Sequence, residues 1–189
     1  RRDLGEVLSA FEFMDAPTMR LLRKGNPDLL GQFGRAVHLA EDGGSDSASS
    51  GDHDVGIPGE VAVFIEVSGS SSAVEERLQT FVSEHVHDLE QVVFPVNVTQ
   101  TRSLWEVREN TGVVLMKLSQ EKKDGGGGSG RLYKYDVSMT LPQMEELVAA
   151  VKNALMGKVP SLEVVPACWG HCGDLNLHLN ILATVREGV

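Results

Sequence analysis

"GHCGDLNLHLNI", residues 170–181, sets two histidines, two asparagines and an aspartate beside a run of leucines. Read as a strand from Leu175 to Ile181, it sorts its side chains by face. Leu177, Leu179 and Ile181 point one way; Asn176, His178 and Asn180 point the other. The apolar side is expected to pack on helices, leaving the polar side presented as a row. His171 and Asp174, in the Gly-bearing turn before the strand, converge on the mouth of that row. Two neutral imidazoles brought together suit a divalent transition metal such as zinc or manganese. A polar outer face with incidental histidines is the competing reading, and the His-x6-His spacing does not decide between them.

Such a strand needs neighbours, and the rest of the chain offers them. Val61, Val63, Ile65 and Val67 occupy every second position, as does the set Tyr133, Tyr135 and Val137 in "RLYKYDVSM". "VLSAFEF" near the start, "VVFPVNV" (92–98) and "LEVVPA" are further strand candidates, with Pro95 pushing the second toward an edge or bulge. Helical spacing links Val74, Leu78, Phe81 and Val82, and again Met144, Leu147, Val148, Val151 and Leu155, after which Gly157 sits at a C-cap position. Leu104–Leu118 has helical content despite Gly112, and Asp15 is placed to cap a helix after the first strand. Strands interleaved with helices and closing on two consecutive strands predict an α+β fold: a largely antiparallel sheet with helices on one face.

If the tyrosine strand lies beside the histidine strand, Lys134, Asp136 and Ser138 join the same polar surface. Lys134 then brings positive charge toward the histidines. Arg108 on the "LWEVRE" helix completes an anion clamp, since a guanidinium grips a carboxylate through two parallel bonds. A solvated lysine and a solvated arginine are the alternative.

Composition narrows the class. With 189 residues, 41% hydrophobic and 23% charged, the chain is expected to form one globular domain over 1–189. A net charge of −10 disfavours a nucleic-acid partner and an anionic membrane surface. An anionic substrate then requires a local basic pocket. No apolar run approaches the ~18 residues of a membrane span, and no secretory signal is visible at Arg1. Asn97-Val98-Thr99 is a glycosylation sequon by pattern only. Flexible loops are expected at about 41–58 and 119–131, the second built on the glycine-rich run KKDGGGGSG, which lacks the Lys-Ser/Thr of a phosphate loop.

"CWGHC" resembles a redox dithiol, but three residues separate Cys168 from Cys172 where that motif has two. A structural zinc site on Cys168, Cys172, His171 and His178 is a second alternative. His38, His53, His85 and His87 belong to loops or helix surfaces.

Four blocks, "LGEVLSAFEFMD" (4–15), "LWEVRE" (104–109), "YKYDVS" (133–138) and "GHCGDLNLHLN" (170–180), stand in the same order as in FAD-linked D-2-hydroxy-acid dehydrogenases. The chain resembles that family over nearly its whole length. The resemblance implies a ferredoxin-like substrate-binding, or cap, domain, with His171 and His178 as metal ligands. Asn180 corresponds to a substrate-contacting asparagine, and Arg108 and Lys134 to side chains that hold substrate carboxylates. It further implies FAD on a domain of the same polypeptide that precedes this sequence. A following segment is implied to carry a third metal ligand and a base. By itself the fragment is then inactive and binds metal weakly.

The expected reaction oxidises a D-2-hydroxy acid, D-2-hydroxyglutarate or D-lactate, to the 2-oxo acid in mitochondria. Two positions depart from the family pattern: Leu175 replaces a glycine, and Gly112 stands where a substrate-contacting threonine is expected, next to Thr111. Some members carry an actin-interacting label, which keeps a non-catalytic interaction module as the alternative.

Overall fold

Among the described residues the computed structural model has five strands, joined into one antiparallel sheet in the order β2-β1-β4-β5-β3. The structure describes residues 3–31, 61–69, 72–87, 92–121, 130–155 and 158–185. The strands are β1 Leu8–Asp15, β2 Val61–Val67, β3 Arg131–Ser138, β4 Leu162–His171 and β5 Asn176–Val185. The helices are α1 Ala16–Gly25, α2 Pro27–Gly31, α3 Ser72–His85, α4 Val98–Glu109, α5 Thr111–Gln120 and α6 Leu141–Leu155. The loop expected at 41–58, residues 122–129 of the one expected at 119–131, His38, His53 and the cap at Gly157 lie outside the described residues; Ser119 and Gln120 instead end α5 and Arg131 starts β3.

The α+β class and the antiparallel sheet are as the sequence predicts. The helices, expected on one face, occupy both. Ala167, Trp169, Leu182 and Met14 pack with α1, α2, α4 and α5 in the larger core. Cys168, Leu177 and Leu179, on the other face, pack with Met144, Leu147, Val148 and Val151 of α6. The reason lies in β4, apolar on both sides, and in β5, whose Leu177 and Leu179 face α6 while Leu182 joins the larger core, so each side needs a helical cover.

Two local expectations are corrected. "VVFPVNV" is not a strand: Val92–Pro95 has no regular structure, and Asn97 starts α4 by accepting a hydrogen bond from the Gln100 N–H at 2.9 Å. The Gln100 side chain returns the bond to the Val96 N–H at 2.9 Å, so a reciprocal cap outweighs the β-branched composition. The helix expected over Leu104–Leu118 is two helices meeting at Asn110, whose carboxamide donates to the Glu106 carbonyl at 2.8 Å. That break turns α5 away while α4 presents its last turn, with Arg108, to the sheet.

Asp15 caps α1, as predicted: Oδ1 accepts from the Thr18 N–H at 2.9 Å and from the Thr18 hydroxyl at 2.6 Å. Its Oδ2 is buried without a partner among the described residues. Burial raises the carboxyl above its ordinary 3.8, against the smaller lowering effects of the Thr18 bonds, the Cys168 backbone and the Lys152 charge. A raised acid binds its proton more tightly in the folded state. The stability this contributes is fully present below about 3.8 and is lost as pH rises through the folded value. Asp15→Asn keeps a capping side chain and removes the titration. The variant's stability relative to wild type is therefore expected to climb with pH across that window and then level off. Urea unfolding at a series of pH values checks this, and a difference independent of pH would contradict it.

Candidate functional site

The β4–β5 hairpin pairs His171 with Asn176, Trp169 with His178 and Ala167 with Asn180. On the far side of β5, β3 pairs Asp136 with His178 and Lys134 with Asn180, so the tyrosine strand does neighbour the histidine strand. β1, on the other side of β4, pairs Glu12 with His171. Strand alternation therefore gathers Glu12, His171, His178, Asp136, Asn180 and Lys134 on one sheet face. The row is not an open surface. It runs from the half-buried Asn176 and His178 through Asn180, only 2% exposed, to Leu182 in the larger core.

The two imidazoles face each other, Nε2 to Nε2, at 3.2 Å, with ring centroids 5.1 Å apart and planes at 81°. Each ring is held from behind by a carboxylate: His171 Nδ1 bonds Glu12 Oε1, and His178 Nδ1 bonds Asp136 Oδ1 at 2.5 Å. Glu12 also accepts from Arg108 Nε at 2.8 Å through Oε2. An ionised carboxylate only accepts hydrogen bonds, so each Nδ1 carries the proton of its neutral ring and each Nε2 keeps a lone pair. Two lone pairs so placed suit a shared cation, a proton or a metal.

The donor set fits a metal in part. Two nitrogens on one tetrahedral zinc stand roughly 3.3 Å apart, from Zn–N bonds of about 2.0–2.1 Å. A carboxylate behind each histidine is the usual support for such a ligand. Among the described residues, no group of three or more His, Cys, Asp and Glu side chains is placed to hold a metal ion. The pair offers two ligands and no more.

Every expected site residue falls on or beside this face, with differences in availability. Arg108 reaches it from the end of α4, its side chain 12% exposed. Its Nε is taken by Glu12, which leaves its outer amino groups for an incoming anion. Asn180 Oδ1 is buried without a partner among the described residues, an acceptor suited to a hydroxyl donor. Lys134 is exposed on the edge strand. Asp174 turns inward on its own loop, accepting from the Asn176 N–H at 3.2 Å. Thr111 is fully buried and donates to the Val107 carbonyl at 3.1 Å, so it does not replace the threonine missing at Gly112. Leu175 adopts φ 63°, the left-handed conformation that suits the glycine expected at this position.

The cysteine readings are overturned. Cys168 is 1% exposed in the α6 core, on the face opposite the histidines, and both cysteines are free thiols. Burial pushes each thiol up, Cys168 far above its ordinary value, so neither is poised as a thiolate. His85 packs on Phe81 and approaches Asp3, which is a structural role. Glu12 is the residue that sequence reading missed. Its signal was a charge set among the apolar residues Phe11, Phe13 and Met14.

No described helix is long and apolar enough to cross a membrane. A family model described as FAD linked oxidases, C-terminal domain, matches residues 1–188. The chain is 31% identical to the mitochondrial D-2-hydroxyglutarate dehydrogenase of Arabidopsis thaliana, over 97% of this chain and 26% of that protein. It is 29% identical to the mitochondrial protein of the same name in Danio rerio, over 97% of this chain and 28% of that protein. It is also 31% identical to a putative mitochondrial D-lactate dehydrogenase of Schizosaccharomyces pombe, over 96% of this chain and 30% of that protein. The chain thus spans less than a third of the length of these curated relatives.

Proposed function

The chain belongs to the family of FAD linked oxidase C-terminal domains, and on that premise we propose that it is the substrate-binding domain of an FAD-dependent D-2-hydroxy-acid dehydrogenase. The parent oxidises a D-2-hydroxy acid, D-2-hydroxyglutarate or D-lactate, to the 2-oxo acid. The relatives' names support a mitochondrial setting for that parent. FAD, when bound by another domain of the parent, supplies the electron acceptor.

The observation that carries this reading is the facing Nε2 pair, backed by two carboxylates and flanked by a half-buried guanidinium. Arg108 binds the substrate carboxylate through its outer amino groups. Lys134 adds positive potential at the open edge, which counters the chain's overall negative charge. Asn180 Oδ1 accepts from the substrate hydroxyl and orients it. His171 and His178 would hold a divalent cation, zinc or manganese, which supplies Lewis-acid stabilisation of the oxygen that loses its proton. The remaining ligand and the base come from other parts of the parent, so the chain by itself is inactive.

Flavin bleaching in the full-length parent tests the reading. D-2-hydroxyglutarate or D-lactate is expected to bleach the flavin while the L-isomers do not. No bleaching by any hydroxy acid would favour a non-catalytic interaction module.

A further inference from the structure

Glu12 is 6% exposed in a strand with a neighbour on each side, a costly place for a carboxylate unless both oxygens are engaged. Both are: Oε2 takes Arg108 Nε at 2.8 Å and Oε1 takes His171 Nδ1. We propose that Glu12 is the positioning residue of this site, one carboxylate that sets the anion grip and the histidine pair together. This rests on reading the facing histidines as cofactor ligands.

Two consequences follow from the geometry. Holding Arg108 by Nε fixes the guanidinium plane and leaves its two outer amino groups as an end-on fork. Holding His171 by Nδ1 fixes the tautomer whose Nε2 faces His178. The two supports are unequal. Asp136, which does the same for His178, sits on edge strand β3 with its side chain 74% exposed, where water can take its place. No water replaces Glu12. Its glutamine analogue has one acceptor oxygen for two donors, and its amide nitrogen would face one of them.

Long-range 1H–15N correlation on the labelled chain at pH 8 reads the ring tautomers directly, and zinc titration on the same resonances measures even weak affinity. In the wild type His171 is expected to be protonated at Nδ1. Glu12→Gln is expected to shift His171 toward the Nε2–H form and to weaken zinc binding about 10–100-fold. Asp136→Asn is expected to change affinity about threefold or less. A wild-type His171 protonated at Nε2 would overturn the proposal, and that measurement needs no variant to fold. So would a folded Glu12→Gln variant with the wild-type tautomer and zinc affinity. If zinc moves no resonance in the wild type while the tautomer still depends on Glu12, the metal reading fails and the positioning role stands.

Discussion

Replacing His178 with alanine is expected to slow flavin reduction in the full-length parent about 100-fold or more while leaving the domain folded. The imidazole supplies one of only two nitrogens in the facing pair, so its loss leaves His171 Nε2 without a counterpart. A bound cation is worth several kcal/mol in stabilising developing negative charge on oxygen, and each ~1.4 kcal/mol is a factor of ten in rate. The structural cost is smaller. His178 is half-buried beside Trp169, with ring centroids 6.0 Å apart, and its truncation costs on the order of 1 kcal/mol. Activity should therefore fall far more than the urea midpoint. Stopped-flow flavin bleaching alongside unfolding curves separates the two. A rate within threefold of wild type would remove His178 from the mechanism.

Gly170→Ala is expected to produce the largest loss of stability. Gly170 pairs with Leu177 across the β4–β5 hairpin. A Cβ added there would lie 2.1 Å from the Asn176 carbonyl oxygen and 3.0 Å from Leu177 Cα. Both are backbone atoms of a paired strand, so relief requires the hairpin to open. Overpacking of this kind costs about 3 kcal/mol. With a slope of about 2 kcal/mol/M that moves the urea midpoint by roughly 1.5 M. His171 follows directly, so the Nε2 spacing should suffer with the fold.

Gly112→Ala is the control: an added Cβ meets nothing within 4 Å, and alanine favours the helix. Its midpoint should stay the same or rise. Equal midpoints for the two variants would mean that the hairpin yields more easily than its geometry implies.

Much of this was legible because Tyr133–Ser138 and Asn176–Ile181 alternate apolar and polar side chains, and alternation assigns a face to every residue once one face is known. That is how Lys134 and Asp136 could be given a common face, to join the histidine row if their strands proved neighbours, as they do. Asp15 was legible as a cap for a local reason, being three residues from the amide it serves. Glu12 was not, because its role depends on β1 lying beside β4, a pairing that no local pattern encodes. The strand expected at Val92–Val98 failed where composition competed with capping. Its valines favour extended chain, yet Asn97 and Gln100 stand at the spacing of a reciprocal cap. The polar row on β5 looked exposed because sequence shows which residues share a face and not which helix covers it.

The place of β1 in the sheet also orders events in time. Glu12 reaches His171 across 159 residues of chain, and Arg108 reaches Glu12 across 96. Contacts this distant in sequence close slowly, because long loops must be ordered before the contacts reward them. During synthesis Glu12 emerges before Arg108, and its pairing with His171 waits for the β4–β5 hairpin. At about 5–20 residues per second, that interval is on the order of 10 s or more. Through that interval the edge of β1 that pairs with β4 stays open, while its other edge takes β2.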